Sequence, residues 1–194
     1  MSYDLICIGA SWGGLRAIER LLSELPDDVD QPVVIAQHRH PEGGEGVLPS
    51  VLAHYSSRPV VDVDDKLPIE RRHVYIAPAD YHLLVERKSF ALSLEDRVQF
   101  ARPSIDVLFE SAADAYGSGV IGVILTGANR DGAAGLARIK ERGGVAIVQD
   151  PGEAERRAMP DAAIAATVAD AVLPLADIGR FIYGLCVEPA ASRT

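Results

Sequence analysis

Short apolar runs rich in β-branched residues alternate along this chain with longer amphipathic stretches. Residues 119–125 are almost entirely apolar, as expected of a parallel strand covered on both faces, whereas residues 13–25 carry leucines at helical spacing. Repeated alternation of this kind is typical of α/β folds, in which helices connect parallel strands. We therefore predict an α/β fold with a doubly wound, mostly parallel sheet and helices on both of its faces.

The predicted elements follow this alternation from one end of the chain to the other. Strands are predicted at residues 4–9, 32–37, 58–63, 119–125, 145–149 and 171–174. Helices are predicted at residues 13–25, 46–55, 104–116, 133–142, 161–166 and 178–187. Short antiparallel pieces are expected at residues 74–77, 83–86 and 90–94, the last two joined by a tight turn at Arg87-Lys88. The sheet should therefore carry an antiparallel hairpin.

Length, charge and cysteine usage limit the class of protein. A chain of 194 residues suits one domain. Its formal net charge of −9 argues against nucleic acid and anionic membrane surfaces as partners, because both need a positive footprint. Two cysteines, Cys7 and Cys186, are too few for a disulfide framework. The sequence shows no signal-peptide pattern and no apolar run near the roughly 20 residues that cross a bilayer. We therefore expect a cytoplasmic protein without direct membrane insertion.

The loop after the first predicted strand, residues 9–14, reads GASWGG. In doubly wound folds, ligands bind outside the carboxyl ends of the strands. A glycine-rich turn from strand to helix binds phosphate in some proteins and holds a nucleophile in others. Here the spacing is not G-x-G-x-x-G, no acidic residue ends the second strand, and no lysine is placed to grip a phosphate, which disfavours nucleotide binding. Ser11 is then either a nucleophile or a plain helix cap.

His38 stands directly at the carboxyl end of the second predicted strand. Adjacent parallel strands bring such ends within side-chain reach, so Ser11 and His38 could meet. An imidazole suits the task of taking the proton from a serine hydroxyl, which is otherwise a poor nucleophile. His40 is a rival base in the same loop. The remaining histidines fall in helix or hairpin contexts and are interpreted as structural: His54, His73 and His82.

Asp131 lies in the loop TGANRDGA, residues 126–133, after the most hydrophobic strand. A catalytic triad needs a carboxylate that fixes the histidine tautomer and stabilises the imidazolium. Taken alone, Asp131 could equally be a structural residue, either in a turn before glycine or at a helix cap. Taken together, Ser11, His38 and Asp131 are residues of the right types at three strand ends of one sheet. This set favours a serine hydrolase.

Several segments, in order and at similar spacing, resemble the catalytic domain of chemotaxis protein-glutamate methylesterases of the CheB type. They are IGASWGG, VVIAQH, HVYIAPADYHLLVE, RPSIDVLFESAA, GVILTGANRDGAAGL and GGVAIVQDP followed by AMPDAA. The resemblance covers nearly the whole chain and implies that residues 1–194 form a single methylesterase-type catalytic domain. It implies that Ser11 is the nucleophile, that His38 is the general base, and that Asp131 orients the base. The QH pair favours His38 over His40.

Members of that family hydrolyse glutamyl γ-methyl esters on chemoreceptor signalling helices and deamidate certain glutamines there. The resemblance therefore implies a hydrolase whose partners are methylated chemoreceptor signalling helices and which needs no metal or organic cofactor. Backbone N–H groups near Trp12 and Ala128 are expected to bind the oxyanion, which is often a large catalytic contribution.

Departures from the family pattern affect these expectations. Trp12 stands where the family usually has threonine, while Ala128 and Asn129 stand where it usually has methionine and glycine. Arg130, beside them, could compete for the Asp131 carboxylate. The usual N-terminal receiver domain is missing from the sequence. The alternatives are constitutive activity, control by a separate regulatory protein, or a fragment of a longer system.

Three functions stay open at this point. An active methylesterase is favoured by the complete set of triad residues. A catalytically degenerate module that docks on receptor helices is favoured by Trp12 and by the altered loop at residues 128–130. A hydrolase of another ester or amide would turn over small esters but not a methylated receptor.

Overall fold

The computed structural model describes residues 3–39 and 46–187. Its strands are β1 (Leu5–Ala10), β2 (Val33–Gln37), β3 (Val60–Asp62), β4 (Val74–Ile76), β5 (His82–Glu86), β6 (Ser89–Ser93), β7 (Val120–Ile124), β8 (Val145–Gln149) and β9 (Ala171–Leu173). Seven of these strands form one sheet in the order β3-β4-β2-β1-β7-β8-β9, and every pairing in it is parallel. The other two, β5 and β6, form a separate antiparallel pair.

Helices cover both faces of the large sheet. In the described ranges they are α1 (Gly14–Glu24), α2 (Val47–Leu52), α3 (Ile105–Tyr116), α4 (Ala133–Glu141), α5 (Ala158–Ala166) and α6 (Leu175–Cys186), with 3₁₀ turns at Ala53–Tyr55 and Gly117–Gly119. Buried residues of α1, α2 and α6 share one hydrophobic cluster, while those of α3, α4 and α5 share another with the β5–β6 hairpin. The predicted fold class, a doubly wound and mostly parallel α/β sheet with an antiparallel hairpin, is confirmed.

The central strand β1 shows how one sequence run supplies both clusters. Leu5 and Cys7 lie in the cluster under α3, α4 and α5, whereas Ile6 and Ile8 lie in the cluster under α1, α2 and α6. Successive side chains of a strand point to opposite faces of a sheet, so an uninterrupted apolar run fills both sides. Full burial of each leucine or isoleucine is worth about 1.5–3 kcal/mol relative to its exposure.

One predicted strand has a different partner from the one expected. β5 and β6 pair antiparallel through the turn at Arg87-Lys88, as predicted, and Lys88 has a left-handed φ of 72°. The strand predicted at residues 74–77 was expected to be antiparallel as well, and this is wrong. β4 instead lies between β2 and β3 and is parallel to both. Its side chains are buried on both faces of the sheet, with Tyr75 in one cluster and Val74 and Ile76 in the other.

Most predicted bounds agree with the structure within two residues, and the exceptions involve proline or a 3₁₀ turn. α5 begins at Ala158, before the predicted start at residue 161, because Pro160 fits in the first turn of a helix, where its missing N–H costs nothing. α6 begins at Leu175, directly after Pro174, and not at residue 178. The helix predicted at residues 46–55 is divided into α2 and a 3₁₀ turn.

The register of the central strands aligns their carboxyl ends. Ala10 of β1 is paired with Gln37 of β2, and Gly9 is paired with Ile124 of β7. The loops that follow these three strands therefore begin side by side at one edge of the sheet. Across the described ranges, none of the helices has the length and apolarity that would let it cross a membrane.

Candidate active site

Ser11 occupies the turn between β1 and α1. Its N–H donates to the Thr126 carbonyl at 3.0 Å, and its own carbonyl accepts from Gly14 N–H at 2.9 Å. Gly13 has a left-handed φ of 77°, and a Cβ at this position would lie 2.7 Å from a carboxylate oxygen of Glu155. Both the backbone conformation and the available space therefore require glycine here. This turn presents the Ser11 hydroxyl at the edge of the sheet.

His38 follows β2 and places its ring between two other side chains. Its N–H donates to the Ala10 carbonyl at 3.0 Å, which continues the pairing of β1 and β2 by one residue. Nδ1 is 3.2 Å from Ser11 Oγ, and Nε2 is 2.6 Å from Asp131 Oδ2. The side chain is 13% exposed, so a substrate can reach the ring although its neighbours hold it in place.

Asp131, in the loop between β7 and α4, is fully buried and accepts several hydrogen bonds. Its carboxylate accepts from Ser104 Oγ at 2.8 Å, from Ile105 N–H at 2.7 Å and from Asp106 N–H at 3.0 Å. These N–H groups belong to the first turn of α3, whose positive end therefore faces the carboxylate. Burial by itself raises the pKa of Asp131, but the hydrogen bonds from His38 and the two N–H groups outweigh it and hold the pKa below its usual range.

The ionised Asp131 determines which nitrogen of His38 carries the hydrogen. A carboxylate can only accept hydrogen bonds, so Nε2 must be the donor at that contact. In the neutral imidazole the lone pair is then on Nδ1, which faces Ser11 Oγ. This arrangement can take the proton of the Ser11 hydroxyl and leave the positive charge next to a carboxylate. It can therefore activate a serine nucleophile.

Two polar side chains at strand ends hold the backbone of the site. Gln37 Nε2 donates to the carbonyl of Ser11 at 2.8 Å and to that of His38 at 2.9 Å. Thr126 Oγ1 donates to the carbonyl of Trp12 at 3.0 Å. The Gln37 contacts connect the segments that carry Ser11 and His38, and the Thr126 contact connects the first of these to the loop after β7.

Trp12 lies directly beside Ser11, and its side chain is 58% exposed. Its Nε1 donates to Glu155 Oε1 at 3.0 Å, and the Arg156 guanidinium is 5.2 Å from the ring centroid, within cation–π range. Its backbone N–H has no hydrogen-bond partner within residues 3–39 and 46–187. This N–H group is therefore available to an oxyanion that forms at Ser11.

The loop before Asp131 carries Ala128, Asn129 and Arg130. Ala128 is exposed, and its N–H also lacks a partner in the part of the chain that the structure describes. Asn129 Oδ1 accepts from Asp131 N–H at 3.2 Å, and its Nδ2 lies 3.4 Å from His38 Nδ1. The competition of Arg130 for the Asp131 carboxylate, expected from the sequence, is not found among the described residues, because Arg130 is exposed and the carboxylate is occupied by other donors.

The other histidines have structural contacts or lie outside the described ranges. His82 is buried, and its Nδ1 accepts from Ser104 N–H at 3.2 Å, so it supports a residue that contacts Asp131. His54 and His73 contact backbone carbonyls close to them in sequence. His40, the rival base, falls outside the described residues.

Sequence reasoning missed four polar residues that support the site: Gln37, Ser104, Thr126 and Asn129. A serine before an apolar periodic run is a typical helix N-cap, and Ser104 does accept from Val107 N–H at the start of α3. That pattern could have indicated the cap. It could not have indicated that the Ser104 hydroxyl donates to Asp131, which is far away in sequence.

Comparison with known proteins adds independent information to this geometry. The family model described as CheB methylesterase matches residues 6–182. A crystal structure of the Thermotoga maritima CheB methylesterase catalytic domain superposes with a TM-score of 0.90 at 33% identity, covering 95% of this chain and all of that one.

Related sequences extend over the same region. A Leptospira interrogans protein, provisionally named a protein-glutamate methylesterase/protein-glutamine glutaminase, is 46% identical over 186 residues, which are 95% of this chain and 96% of that protein. Protein-glutamate methylesterase/protein-glutamine glutaminase 1 of Rhodospirillum rubrum is 36% identical over 185 residues, 92% of this chain but 48% of that protein. The chain thus spans nearly all of the first relative and about half of the second. It belongs to the CheB methylesterase family.

Proposed function

We propose that this protein is a protein-glutamate methylesterase that also deamidates glutamine, with Ser11 as nucleophile, His38 as general base and Asp131 as orienting carboxylate. The observation that carries the proposal is the unbroken contact from Ser11 Oγ to His38 at 3.2 Å and from His38 to Asp131 at 2.6 Å. The names of the relatives supply the substrate class. The proposed substrates are methylated signalling helices of chemoreceptors, and the proposed place of action is the cytoplasm.

In the first half of the reaction, Ser11 Oγ attacks the ester carbonyl carbon while His38 Nδ1 takes the hydroxyl proton. The carbonyl π electrons move to the oxygen, and the N–H groups of Trp12 and Ala128 are the proposed donors to the resulting oxyanion. When the tetrahedral intermediate collapses, the bond to the methoxy oxygen breaks and the imidazolium gives that oxygen its proton. Methanol leaves, and the glutamyl group remains esterified to Ser11.

In the second half, a water molecule takes the place of methanol. The oxygen of the water attacks the acyl carbon while His38 accepts a proton from the water. The bond between the acyl carbon and Ser11 Oγ then breaks, and His38 returns a proton to Ser11 Oγ. The products are a glutamate side chain and the free enzyme. For a glutamine substrate the same steps release ammonia in place of methanol. Neither reaction transfers an electron or needs a metal or an organic cofactor.

Release of volatile label from receptor membranes tests this function. The membranes are methylated with a labelled methyl group and then incubated with the protein or with its Ser11→Ala variant. We expect labelled methanol with the unmodified protein and only the background rate with Ser11→Ala, because the variant has no nucleophile. A methylesterase already known to demethylate the same membranes serves as the positive control for the substrate.

Release by neither form, on membranes that the control enzyme does demethylate, would contradict the proposal. The exposed indole of Trp12, next to the nucleophile and tied to Glu155, favours the second candidate in that case, a module that binds receptor without turnover. Hydrolysis of small esters without methanol release from membranes would instead indicate a hydrolase with a different substrate.

A further inference from the structure

A tight turn at residues 98–101 presents an aromatic side chain to solvent. Val98 and Ala101 exchange both backbone hydrogen bonds, at 3.2 and 2.9 Å, and the two residues between them have left-handed φ angles of 48° at Gln99 and 65° at Phe100. Neither residue is a glycine, so the conformation is costly. Phe100 is 94% exposed, more than any other large apolar residue in the described ranges. A strained turn therefore exposes the Phe100 side chain to solvent.

The turn stands at the edge of the cavity that leads to the catalytic imidazole. This cavity has a volume of about 330 Å³, and its wall includes His38 and Asn129 as well as Gln99 and Phe100. A substrate side chain that reaches the imidazole through this cavity therefore passes the exposed ring. The position of Phe100 suits contact with the part of a macromolecule that flanks the reacting group.

Among the residues that the structure describes, the charged ones in the cavity wall are all arginines, although the protein as a whole has a net charge of −9. Arg97 and Arg102 both contact one carboxylate, that of Asp80, at 3.3 and 2.9 Å, so the two cations share one anion. Arg39 lies 3.4 Å from Asp62. No carboxylate lines the cavity itself in the described chain. Local positive charge on an acidic protein favours a negatively charged partner at this place.

We propose that the turn at residues 98–101, together with Arg97, is the docking surface for an acidic helical segment of the methylated receptor. Phe100 packs on an apolar residue of that helix, while Arg97, which shares Asp80 with Arg102, faces one of its carboxylates. Side chains three or four positions apart lie on one face of a helix, so an ester that enters the cavity brings a neighbouring glutamate to Arg97. The inference rests on the proposed function for the identity of the partner, and on Phe100 and Arg97 for the location of the surface.

Binding to a protein that cannot turn over its substrate tests the docking surface directly. The Ser11→Ala protein is titrated with a soluble methylated receptor fragment, with and without Phe100→Ala or Arg97→Gln as a second change. Arg97 is chosen over Arg102 because Arg102 also donates to the carbonyls of Leu94 and Glu95, which makes it structural. We expect each second change to raise Kd about tenfold, and the Arg97→Gln form to lose part of the salt dependence.

Kinetics of the active protein separate docking from folding and chemistry. Phe100→Ala should raise KM for the receptor fragment and leave turnover of a small ester such as p-nitrophenyl acetate within about twofold of wild type. Val168→Ala, which truncates another apolar side chain that is 83% exposed, is the matched control and should change neither reaction. Unchanged receptor affinity in Phe100→Ala, or equal losses on both substrates, would overturn the docking surface. If receptor binding depended on Phe100 but no methanol were released, the docking surface would be supported and the proposed esterase activity would be refuted.

Discussion

At the scale of single residues, the Asp131 carboxylate contacts both the His38 ring and the first turn of α3. Oδ2 accepts from His38 Nε2, and both oxygens accept from the start of α3, through Ile105, Asp106 and Ser104. The same contacts that keep the carboxylate ionised also fix its direction. The tautomer of His38 is thus determined by the N-terminus of a helix, which acts on the imidazole through Asp131.

Asp131→Asn should reduce kcat by a factor on the order of 10⁴, the loss seen when the carboxylate of a Ser-His-Asp triad becomes an amide. The amide can turn its NH₂ group toward His38, which then holds its hydrogen on Nδ1 and cannot accept the Ser11 proton. Steady-state hydrolysis of a small ester measures the change. Asp170→Asn is the control, because Asp170 also accepts a backbone N–H, that of Ala146, and lies outside the site. A loss of less than tenfold in Asp131→Asn would contradict the assigned tautomer.

The residues of the site differ in how far the sequence could predict them. Ser11, His38 and Asp131 each follow a strand of the central sheet, so strand prediction and residue type were enough to propose them. Asn129 could not be proposed in this way, because its contact with His38 depends on how one loop folds back over the ring. Hydrogen bonds across such a turn leave no periodic pattern in the sequence.

At the scale of elements, the first turn of α3 contains a second carboxylate close to Asp131. Asp106 is buried, and its Oδ1 accepts from Gly135 N–H at 2.8 Å. Burial, opposed by that hydrogen bond and reinforced by the negative charge of Asp131, raises the pKa of Asp106 to about 6. The helix that stabilises the ionised Asp131 therefore has an acid beside it that resists ionisation.

The substitution Asp106→Asn should change the pH dependence of stability. The pKa of Asp106 is about 6 in the folded protein and about 3.9 in an unfolded chain. The stabilising contribution of this group is therefore complete below about pH 4 and is lost as the pH rises through 6. The free energy of unfolding of Asp106→Asn, relative to wild type, should rise between pH 4 and pH 7. Urea unfolding at a series of pH values measures it.

The same helix offers a control of opposite sign. Hydrogen bonds from Arg138 at 2.9 Å and from Arg142 at 2.7 Å hold the pKa of Asp114 below its usual value. Asp114→Asn should therefore lose stability relative to wild type as the pH rises from that lowered pKa to about 4, and change little above it, by a small amount because the pair is exposed. If Asp106→Asn lost stability relative to wild type with rising pH, as Asp114→Asn does below about pH 4, the raised pKa of Asp106 would be wrong.

The elements themselves followed from the apolar periodicity, with one error of pairing. The run at Val74–Ile76 is short and follows a polar segment, so the sequence resembles a third antiparallel piece before the hairpin. The position of β4 is decided by packing, because the strand between β2 and β3 has to bury its side chains on both faces of the sheet. Pairing of this kind depends on residues distant in sequence, and local pattern does not contain it.

At the scale of the whole molecule, the candidate catalytic residues lie at the carboxyl ends of the central strands, and arginines line the cavity that His38 also lines. Three strand ends supply the proposed nucleophile Ser11, the proposed base His38 and the loop that carries Asp131. The segment between the hairpin and α3 supplies Phe100 and two arginines of the adjacent cavity wall. The net charge of −9 could not predict a cavity whose described charged residues are all arginines, because a sum over all residues does not show where the individual charges lie.

The claim on which the rest depends is that His38 activates Ser11. A fluorophosphonate tests it directly, because an activated serine displaces the fluoride and stays bonded to phosphorus. Peptide mass mapping should find one adduct, on Ser11, formed much more slowly in His38→Gln and absent in Ser11→Ala. An unlabelled Ser11 in the wild-type protein, or labelling as fast in His38→Gln as in wild type, would contradict the triad.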